Sequence, residues 1–279
     1  MGKLILSAFS DEYCDDFIGQ LKALHKYAIG YIELRRANGK NVADMTSGDI
    51  SVLRSALDRY GIKVSSIGSP LGKISLDGDM KEHFERAKRI FDMANALESP
   101  FVRIFSFYIP NGKSAEECRG EVLDRVGELI RLAEGFGVTL CHENEALIYG
   151  ESPERCFELL KTFDGRLKCV FDMGNFVLDG YDPLNAYKLL SEYVAYLHIK
   201  DALYAGAVVP AGKGEACIGE ILDLVKNRSG KTFVTLEPHL QTFDGLNALV
   251  GKSFENPYRY ESAAAAFDDA VACLRKLLP

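Results

Sequence analysis

Short apolar runs alternate along the chain with longer segments in which apolar residues recur at helical spacing. The short runs predict eight strands, at 4–10, 31–36, 63–69, 101–108, 138–145, 167–175, 194–201 and 233–240. The segments between them predict eight helices, at roughly 13–29, 47–60, 78–97, 115–136, 152–164, 183–192, 218–228 and 261–278. Strands that are apolar throughout are typical of a parallel sheet covered on both faces.

Eight strands that alternate with eight helices close most economically as a single (β/α)8 TIM barrel. The length of 279 residues fits one such domain spanning 1–279. An open doubly wound sheet is the competing α/β fold, but the glycine-rich turn that usually follows its first strand is absent. Two long connections, 202–217 and 241–260, are expected on the carboxyl-terminal face of the barrel, where loops build active sites.

Composition narrows the class of partner. Hydrophobic residues make up 47% of the chain, yet no apolar run approaches the roughly 20 residues of a membrane helix. The net charge of −7 disfavours binding to nucleic acid. The seven cysteines form no C-x-x-C pair, which fits reduced thiols and a cytoplasmic protein. The amino terminus predicts a first strand and no secretory leader.

Polar residues collect where the last four predicted strands end. Glu143, Asp172, His198 and Glu237 come from four consecutive strands, one residue from each. Each alone is more often a helix cap or a surface group, but four together at the catalytic end of a barrel favour one common ligand. Three carboxylates and an imidazole suit one divalent metal ion, with Mn²⁺, Mg²⁺ or Co²⁺ preferred and Zn²⁺ as the alternative.

Several motifs extend this pattern along nearly the whole chain. They are Ala8-Phe9-Ser10-Asp11-Glu12, Tyr31-Ile32-Glu33-Leu34-Arg35, Ser69-Pro70-Leu71-Gly72-Lys73, Glu143-Asn144, Phe171-Asp172, His198-Ile199-Lys200-Asp201 and Glu237-Pro238-His239. With them the chain resembles the xylose-isomerase-like TIM-barrel superfamily, the sugar phosphate isomerase/epimerase family, which includes tagatose and psicose 3-epimerases, hydroxypyruvate isomerase and inosose dehydratase. The His-Ile-Lys-Asp and Glu-Pro-His stretches are its more specific motifs.

The resemblance implies roles for the four strand-end residues. Glu143 and Glu237 would be both metal ligands and the catalytic proton carriers, and Asp172 and His198 would be fixed ligands. A metal that binds a carbonyl and the neighbouring hydroxyl stabilises the enediolate formed when a carbon-bound proton leaves. One glutamate would then remove the proton and the other would return it. The partner of the second imidazole nitrogen of His198 stays open.

Seven further residues at strand ends or on the rim are candidates for substrate binding. Each has a structural alternative, an ion pair for the charged residues and a satisfied buried position for the histidine. They are Glu33, Arg35, Lys73, Arg103, Asn175, Lys200 and His239. Asn175 stands where the family's epimerases usually have a histidine, and an amide cannot act as a base.

The predicted function is therefore a metal-dependent isomerase or epimerase acting on a small carbohydrate-like substrate. A dehydratase of an inosose or keto acid is the main alternative, since the same carbanion can expel a β-hydroxyl. A non-catalytic sugar-binding barrel ranks lower. A DNA-repair endonuclease with three zinc ions is disfavoured because only five histidines exist and two of them, His25 and His83, fall in predicted helices. The resemblance also implies a homo-oligomer.

Overall fold

The computed structural model describes residues 2–240 and 258–278. Within them eight parallel strands form one sheet, in the order β1-β8-β7-β6-β5-β4-β3-β2. The strands are β1 (Lys3–Ala8), β2 (Tyr31–Leu34), β3 (Lys63–Ile67), β4 (Phe101–Ile104), β5 (Thr139–Glu143), β6 (Leu167–Asp172), β7 (Val194–Ile199) and β8 (Lys231–Leu236). Because β1 and β2 also lie beside each other, the sheet curls into a nearly closed barrel. The predicted TIM barrel is confirmed.

Helices surround the sheet and bury their apolar faces on it. The described helices are α1 (Phe17–Lys26), α2 (Ser47–Tyr60), α3 (Met80–Ala96), α4 (Ala115–Gly135), α5 (Pro153–Thr162), α6 (Met173–Leu178), α7 (Pro183–Leu190), α8 (Ile218–Lys226) and α9 (Ala263–Leu277). Most begin at a side chain that accepts a backbone amide, as Thr46 does for α2 and Ser152 for α5. None of the described helices has the length and apolar character needed to cross a membrane.

The sequence pattern placed several strand ends too far along the chain. The strands predicted at 101–108 and 233–240 end at Ile104 and Leu236. The strand predicted at 167–175 ends at Asp172, and residues 173–178 form α6, a helix that the pattern did not predict. Apolar residues follow Asp172 directly, and a short buried apolar run does not distinguish strand from helix.

The two long connections differ in how much of them is described. Residues 202–217 include a short antiparallel ribbon in which Asp201–Ala202 pairs with Val208–Val209. The other predicted connection, 241–260, lies mostly outside the described residues.

Two clusters of buried side chains fill the fold. The larger one lies between the sheet and the helices. The smaller one is formed by Cys141, Val170 and Tyr196. All seven cysteines are free thiols, in agreement with the absence of a predicted disulfide framework.

Candidate metal centre

Four polar side chains converge at the carboxyl-terminal end of the barrel. Glu143 ends β5, Asp172 ends β6, His198 lies one residue before the end of β7, and Glu237 directly follows β8. Consecutive strands of a parallel barrel bring their carboxyl ends together, so side chains that point inward at this level meet. One ligand atom from each residue lies within 4.8 Å of the ligand atoms of the other three, and all four residues are buried.

The imidazole of His198 is the centre of this cluster. Its Nδ1 lies 2.8 Å from Glu143 Oε1, 3.1 Å from Glu237 Oε2 and 4.0 Å from Asp172 Oδ2. One ring nitrogen therefore faces all three carboxylates. The four side chains that sequence reasoning assigned to one ion are brought together by the fold.

The other imidazole nitrogen has a partner that sequence reasoning did not identify. His198 Nε2 lies 3.0 Å from Glu33 Oε2, and the second oxygen of Glu33 accepts a 2.9 Å hydrogen bond from the Tyr196 hydroxyl. A carboxylate that accepts the Nε2–H fixes the tautomer and leaves Nδ1 as the free donor toward a metal. Tyr196 lies two residues before His198, and this spacing on one strand face was the available signal for its place near the histidine; it gave no signal for Glu33.

Asp172 is held by neighbours on both sides. The Asn144 side chain donates to Asp172 O at 2.9 Å and accepts from Asp172 N at 3.0 Å. Lys200 Nζ donates to Asp172 Oδ2 at 2.9 Å and to Asn175 Oδ1 at 3.0 Å, and it lies 3.3 Å from Glu237 Oε2. The Asn175 amide also donates to Asn144 O at 2.9 Å. Both ends of the Asn175 amide are therefore engaged by the protein.

Two arginines contact the glutamates from the opposite side. Arg103 Nη1 lies 3.1 Å from Glu143 Oε2 and 3.9 Å from Glu237 Oε1. Arg35 Nη1 donates to Glu237 Oε1 at 3.1 Å. The guanidinium carbons of both arginines lie over the ring of Phe9, at 4.4 and 5.2 Å from its centroid. Each glutamate thus faces the histidine on one side and an arginine on the other.

The surrounding cations keep both glutamates ionised. Burial raises the pKa of Glu143, but His198 and Arg103 lower it by more than burial raises it, and the pKa falls to about 2. Burial also raises the pKa of Glu237, and Lys200 and His198 bring it well below its usual value. Burial raises the pKa of Asp172 to about 7 despite the opposing effect of Lys200.

The neighbouring acids have the opposite effect on the basic groups. Burial lowers the pKa of His198, but Glu143 and Glu33 raise it well above its usual value. The pKa of Lys200 is likewise raised, because Asp172 and Glu237 outweigh the effect of burial. Without a metal, the His198 ring is therefore protonated on both nitrogens, and metal binding has to displace the proton on Nδ1.

The donor set fits a divalent ion. Glu143 Oε2 and Glu237 Oε2 are buried oxygens that accept no well-directed hydrogen bond from the described residues. Their neighbours are charged nitrogens, Arg103 at 3.1 Å from Glu143 Oε2, and His198 at 3.1 Å and Lys200 at 3.3 Å from Glu237 Oε2. A divalent cation would supply a directed bond to both oxygens. Three carboxylates with one imidazole are typical ligands for Mn²⁺, Mg²⁺ or Co²⁺, and Zn²⁺ also accepts them.

The remaining candidates for substrate binding lie farther out on the rim. Lys73 Nζ forms a 2.8 Å ion pair with Glu145 Oε2 and lies over the ring of Phe105. His239 is one-third exposed, and its Nε2 lies 3.3 Å from Glu12 Oε1. Burial, together with Lys200, lowers the pKa of His239 to about 3, so its ring is neutral. Glu33 is the exception, because it is buried behind His198 and its oxygens face His198 and Tyr196.

Comparison with protein families matches residues 21–277 to a family described as xylose isomerase-like TIM barrel. Comparison with curated proteins finds no match.

Solved structures share the fold at low sequence identity. The IOLI protein with a bound zinc atom is 18% identical, with a TM-score of 0.75 over 99% of this chain and 98% of that chain. D-Psicose 3-epimerase from Clostridium cellulolyticum H10 is 16% identical, with a TM-score of 0.70 over 99% and 98%. The probable 3-DHS dehydratase AsbF from Bacillus anthracis is 18% identical, with a TM-score of 0.70 over 90% and 97%. At these identities the likeness establishes the fold alone.

Proposed function

The chain belongs to the xylose isomerase-like TIM barrel family, and from this we propose that it is a divalent-metal-dependent sugar isomerase or epimerase. Its substrate would be a small ketose or a related polyhydroxy carbonyl compound. The observation that carries the proposal is the buried convergence of Glu143, Asp172, His198 and Glu237 at the carboxyl-terminal end of the barrel.

Proton transfer beside a carbonyl needs a base, an acid and stabilisation of negative charge. A divalent ion at this site supplies Lewis-acid stabilisation of the charge that develops on the substrate oxygens. One of Glu143 and Glu237 would accept the proton from carbon. The C–H electron pair would form the C=C bond of the enediolate as the π pair of the carbonyl moves to its oxygen. The same carboxyl could return this proton to the neighbouring carbon. For return to the opposite face, the other glutamate would first take up a proton from water, while the first gives its proton to water.

The basic residues position these two glutamates. Arg103 contacts both carboxylates, and Lys200 holds Asp172 and Glu237. The surrounding positive charges keep the glutamates ionised, which is the form that can accept a proton. Arg103 and Lys200 are already paired with carboxylates, so we assign them the role of orienting the ligand side chains. Lys200 would in addition donate a hydrogen bond to a substrate oxygen.

The test is metal analysis of purified protein, followed by proton exchange from ketoses, inososes and keto acids in D₂O. We expect one divalent ion per chain, and deuterium incorporated at the carbon beside the carbonyl of one class of compound. Glu237→Gln and Glu143→Gln should each reduce exchange by at least about 10²-fold, the usual range for a general base or acid. Glu134→Gln, on a surface glutamate that pairs with Arg166, is the matched control and should exchange normally.

Two outcomes would contradict the proposal. One is a metal-loaded protein that exchanges no proton from any compound of the panel. The other is a Glu237→Gln variant with full turnover, which would favour a sugar-binding barrel without catalysis.

A dehydratase is the second candidate, and the surroundings of Asn175 favour it. That position holds an amide whose two ends are bound by Lys200 and Asn144, so it offers no further acid or base for epimerisation. The positive charge of Lys200 beside it favours the departure of a β-hydroxyl, which would leave as water after accepting the proton that a glutamate removed from carbon. Formation of an unsaturated or deoxy carbonyl product would identify dehydration, whereas conversion without loss of water would identify isomerisation or epimerisation.

A further inference from the structure

A second set of potential ligands lies directly beside the metal centre. Ligand atoms of Glu12, Glu237 and His239 lie within 4.8 Å of one another. Glu237 belongs to both sets, and Glu12 and His239 come from the segments that follow β1 and β8. His239 Nε2 lies 3.3 Å from Glu12 Oε1 and 3.5 Å from Glu237 Oε1. A carboxylate shared by two ligand sets is the arrangement found in two-metal sites, whose ions lie about 3.5–4 Å apart.

The guanidinium of Arg35 occupies the middle of this second set. Its Nη1 lies 3.1 Å from Glu237 Oε1 and 3.5 Å from His239 Nε2, and its Nη2 lies 3.3 Å from Glu12 Oε1. Its Nε donates to Asp11 Oδ2 at 2.9 Å. One fixed positive charge therefore contacts every member of the set.

Asp11 adds a fourth donor beside the same guanidinium. Its side chain is 6% exposed, and its second oxygen, Oδ1, is buried with no hydrogen-bond partner among the described residues. Three carboxylates and one imidazole therefore contact the Arg35 guanidinium. Of these, Glu12, Glu237 and His239 have ligand atoms within 4.8 Å of one another and offer the oxygen and imidazole donors that divalent ions bind.

We propose that Arg35 is the resident cation of this second set and that it limits the barrel mouth to one divalent ion. The inference rests on the metal centre proposed above. Arg35 and a second ion would have to share the same oxygens of Glu12 and Glu237, and two cations cannot occupy the same contacts. The guanidinium is part of the chain, so it is present beside these oxygens at every metal concentration.

The same contacts argue against the substrate role that the sequence suggested for Arg35. Its guanidinium is already bound by the three carboxylates of Asp11, Glu12 and Glu237, and its side chain is only 20% exposed. An arginine that binds a substrate anion needs hydrogen-bond donors directed toward the open site. Here each of its three nitrogens already faces a carboxylate.

The experiment measures metal stoichiometry in the full chain with Mn²⁺ and, separately, with Zn²⁺. The wild type should bind one equivalent and Arg35→Met should bind two. The double variant Arg35→Met/His239→Asn, which lacks the second imidazole, should return to one. Lys73→Met removes another cation from the rim, away from this set, and should stay at one. Electron paramagnetic resonance of Mn²⁺-loaded Arg35→Met should show a spin-coupled pair instead of isolated ions, because Glu237 bridges the two sites.

Two results would overturn the inference. One is a wild type that binds two equivalents of metal, and the other is an Arg35→Met variant that folds and still binds one equivalent. Arg35→Gln, which keeps polarity without the charge, provides the same comparison should Arg35→Met fail to fold. A wild type that binds no ion would refute the metal centre and this inference together. A wild type that binds one ion but exchanges no substrate proton would refute only the proposed function, since stoichiometry alone decides the role of Arg35.

Discussion

Glu33 is a buried carboxylate that acts on the candidate metal centre through its neighbour His198. It lies behind His198 as seen from the ligand cluster and contacts the imidazole nitrogen that faces away from it. Both side chains are fully shielded from solvent. A buried carboxylate in this position determines which nitrogen of the ring carries the proton, and therefore which nitrogen is available to a metal.

The Glu33→Gln variant tests this role. An amide accepts the Nε2–H less strongly than a carboxylate and can instead donate to Nε2, which would place the proton on Nδ1. We expect metal affinity to fall by about 10–100-fold, the usual cost of losing such a partner. Titration with Mn²⁺ measures it. Tyr196→Phe removes the hydroxyl on the other oxygen of Glu33 and should cost much less; equal losses for the two variants would contradict the assignment.

Single residues also show which parts of the site the sequence predicts and which it does not. Glu143, Asp172, His198 and Glu237 were predictable as a group because polar residues ending buried strands need a common partner. The place of Glu33 was not, because its strand position allows a rim contact as readily as one with His198. Arg35 faced the same ambiguity, and only the fold reveals that Asp11 and Glu12, from the segment after β1, reach it.

Among the elements, the segment after β7 depends on a single acid. Asp201 is buried, and its two carboxylate oxygens accept backbone amides from four residues of the connection to α8, at 2.7–3.1 Å. They are Ala202, Gly212, Gly214 and Ala216. This carboxylate fixes a long loop at the catalytic end of the barrel, next to Lys200.

Asp201→Asn should therefore loosen the whole connection. The amide nitrogen of asparagine would face backbone N–H groups that need an acceptor. We expect a loss of about 2–3 kcal/mol in the free energy of unfolding, as for charged hydrogen bonds, measured by urea denaturation. Asp182→Asn is the matched control, because Asp182 caps α7 and asparagine caps a helix equally well. Similar stability of the two variants would show that Asp201 does not hold the loop.

Helix α6 shows why some element boundaries could not be predicted. Asp172 ends β6 and at the same time caps α6, by accepting the amide of Asn175. The chain thus passes from strand to helix without a turn signal. Gly174 lies so close to Lys200 that an added Cβ would come within 2.7 Å of its Cγ and backbone oxygen. Glycine is needed at this position because of this tertiary contact, which the sequence does not show.

For the whole molecule, the sequence predicts the barrel fold but not how the stability of the fold depends on acidic pH. His83 of α3 is buried, and its Nε2 accepts the backbone amide of Gly72 at 3.1 Å. Gly72 needs its glycine, since an added Cβ would meet the backbone of Phe105. Burial, with a smaller effect of Arg86, lowers the pKa of His83 from 6.5 to about 4. A protonated ring cannot accept the amide, so this contact exists only in the neutral form.

Stability should consequently fall as the pH drops from 6.5 toward 4. In this range the unfolded chain takes up a proton at His83 that the folded chain refuses. The stabilisation is therefore complete above pH 6.5 and is lost below it, amounting to about 3 kcal/mol for this group. Urea denaturation of metal-free protein across this range measures it. His83→Gln, whose amide accepts without titrating, should flatten the decline, while His25→Gln on the exposed face of α1 should not; identical profiles would contradict this account.

We propose that Glu143, Asp172, His198 and Glu237 bind one divalent ion. Anomalous diffraction from crystals grown with Mn²⁺ locates such an ion. We expect one strong peak bounded by these four side chains, with ligand distances of about 2.0–2.3 Å. A saturated crystal with no peak there, or with its ion bound elsewhere, would refute this site.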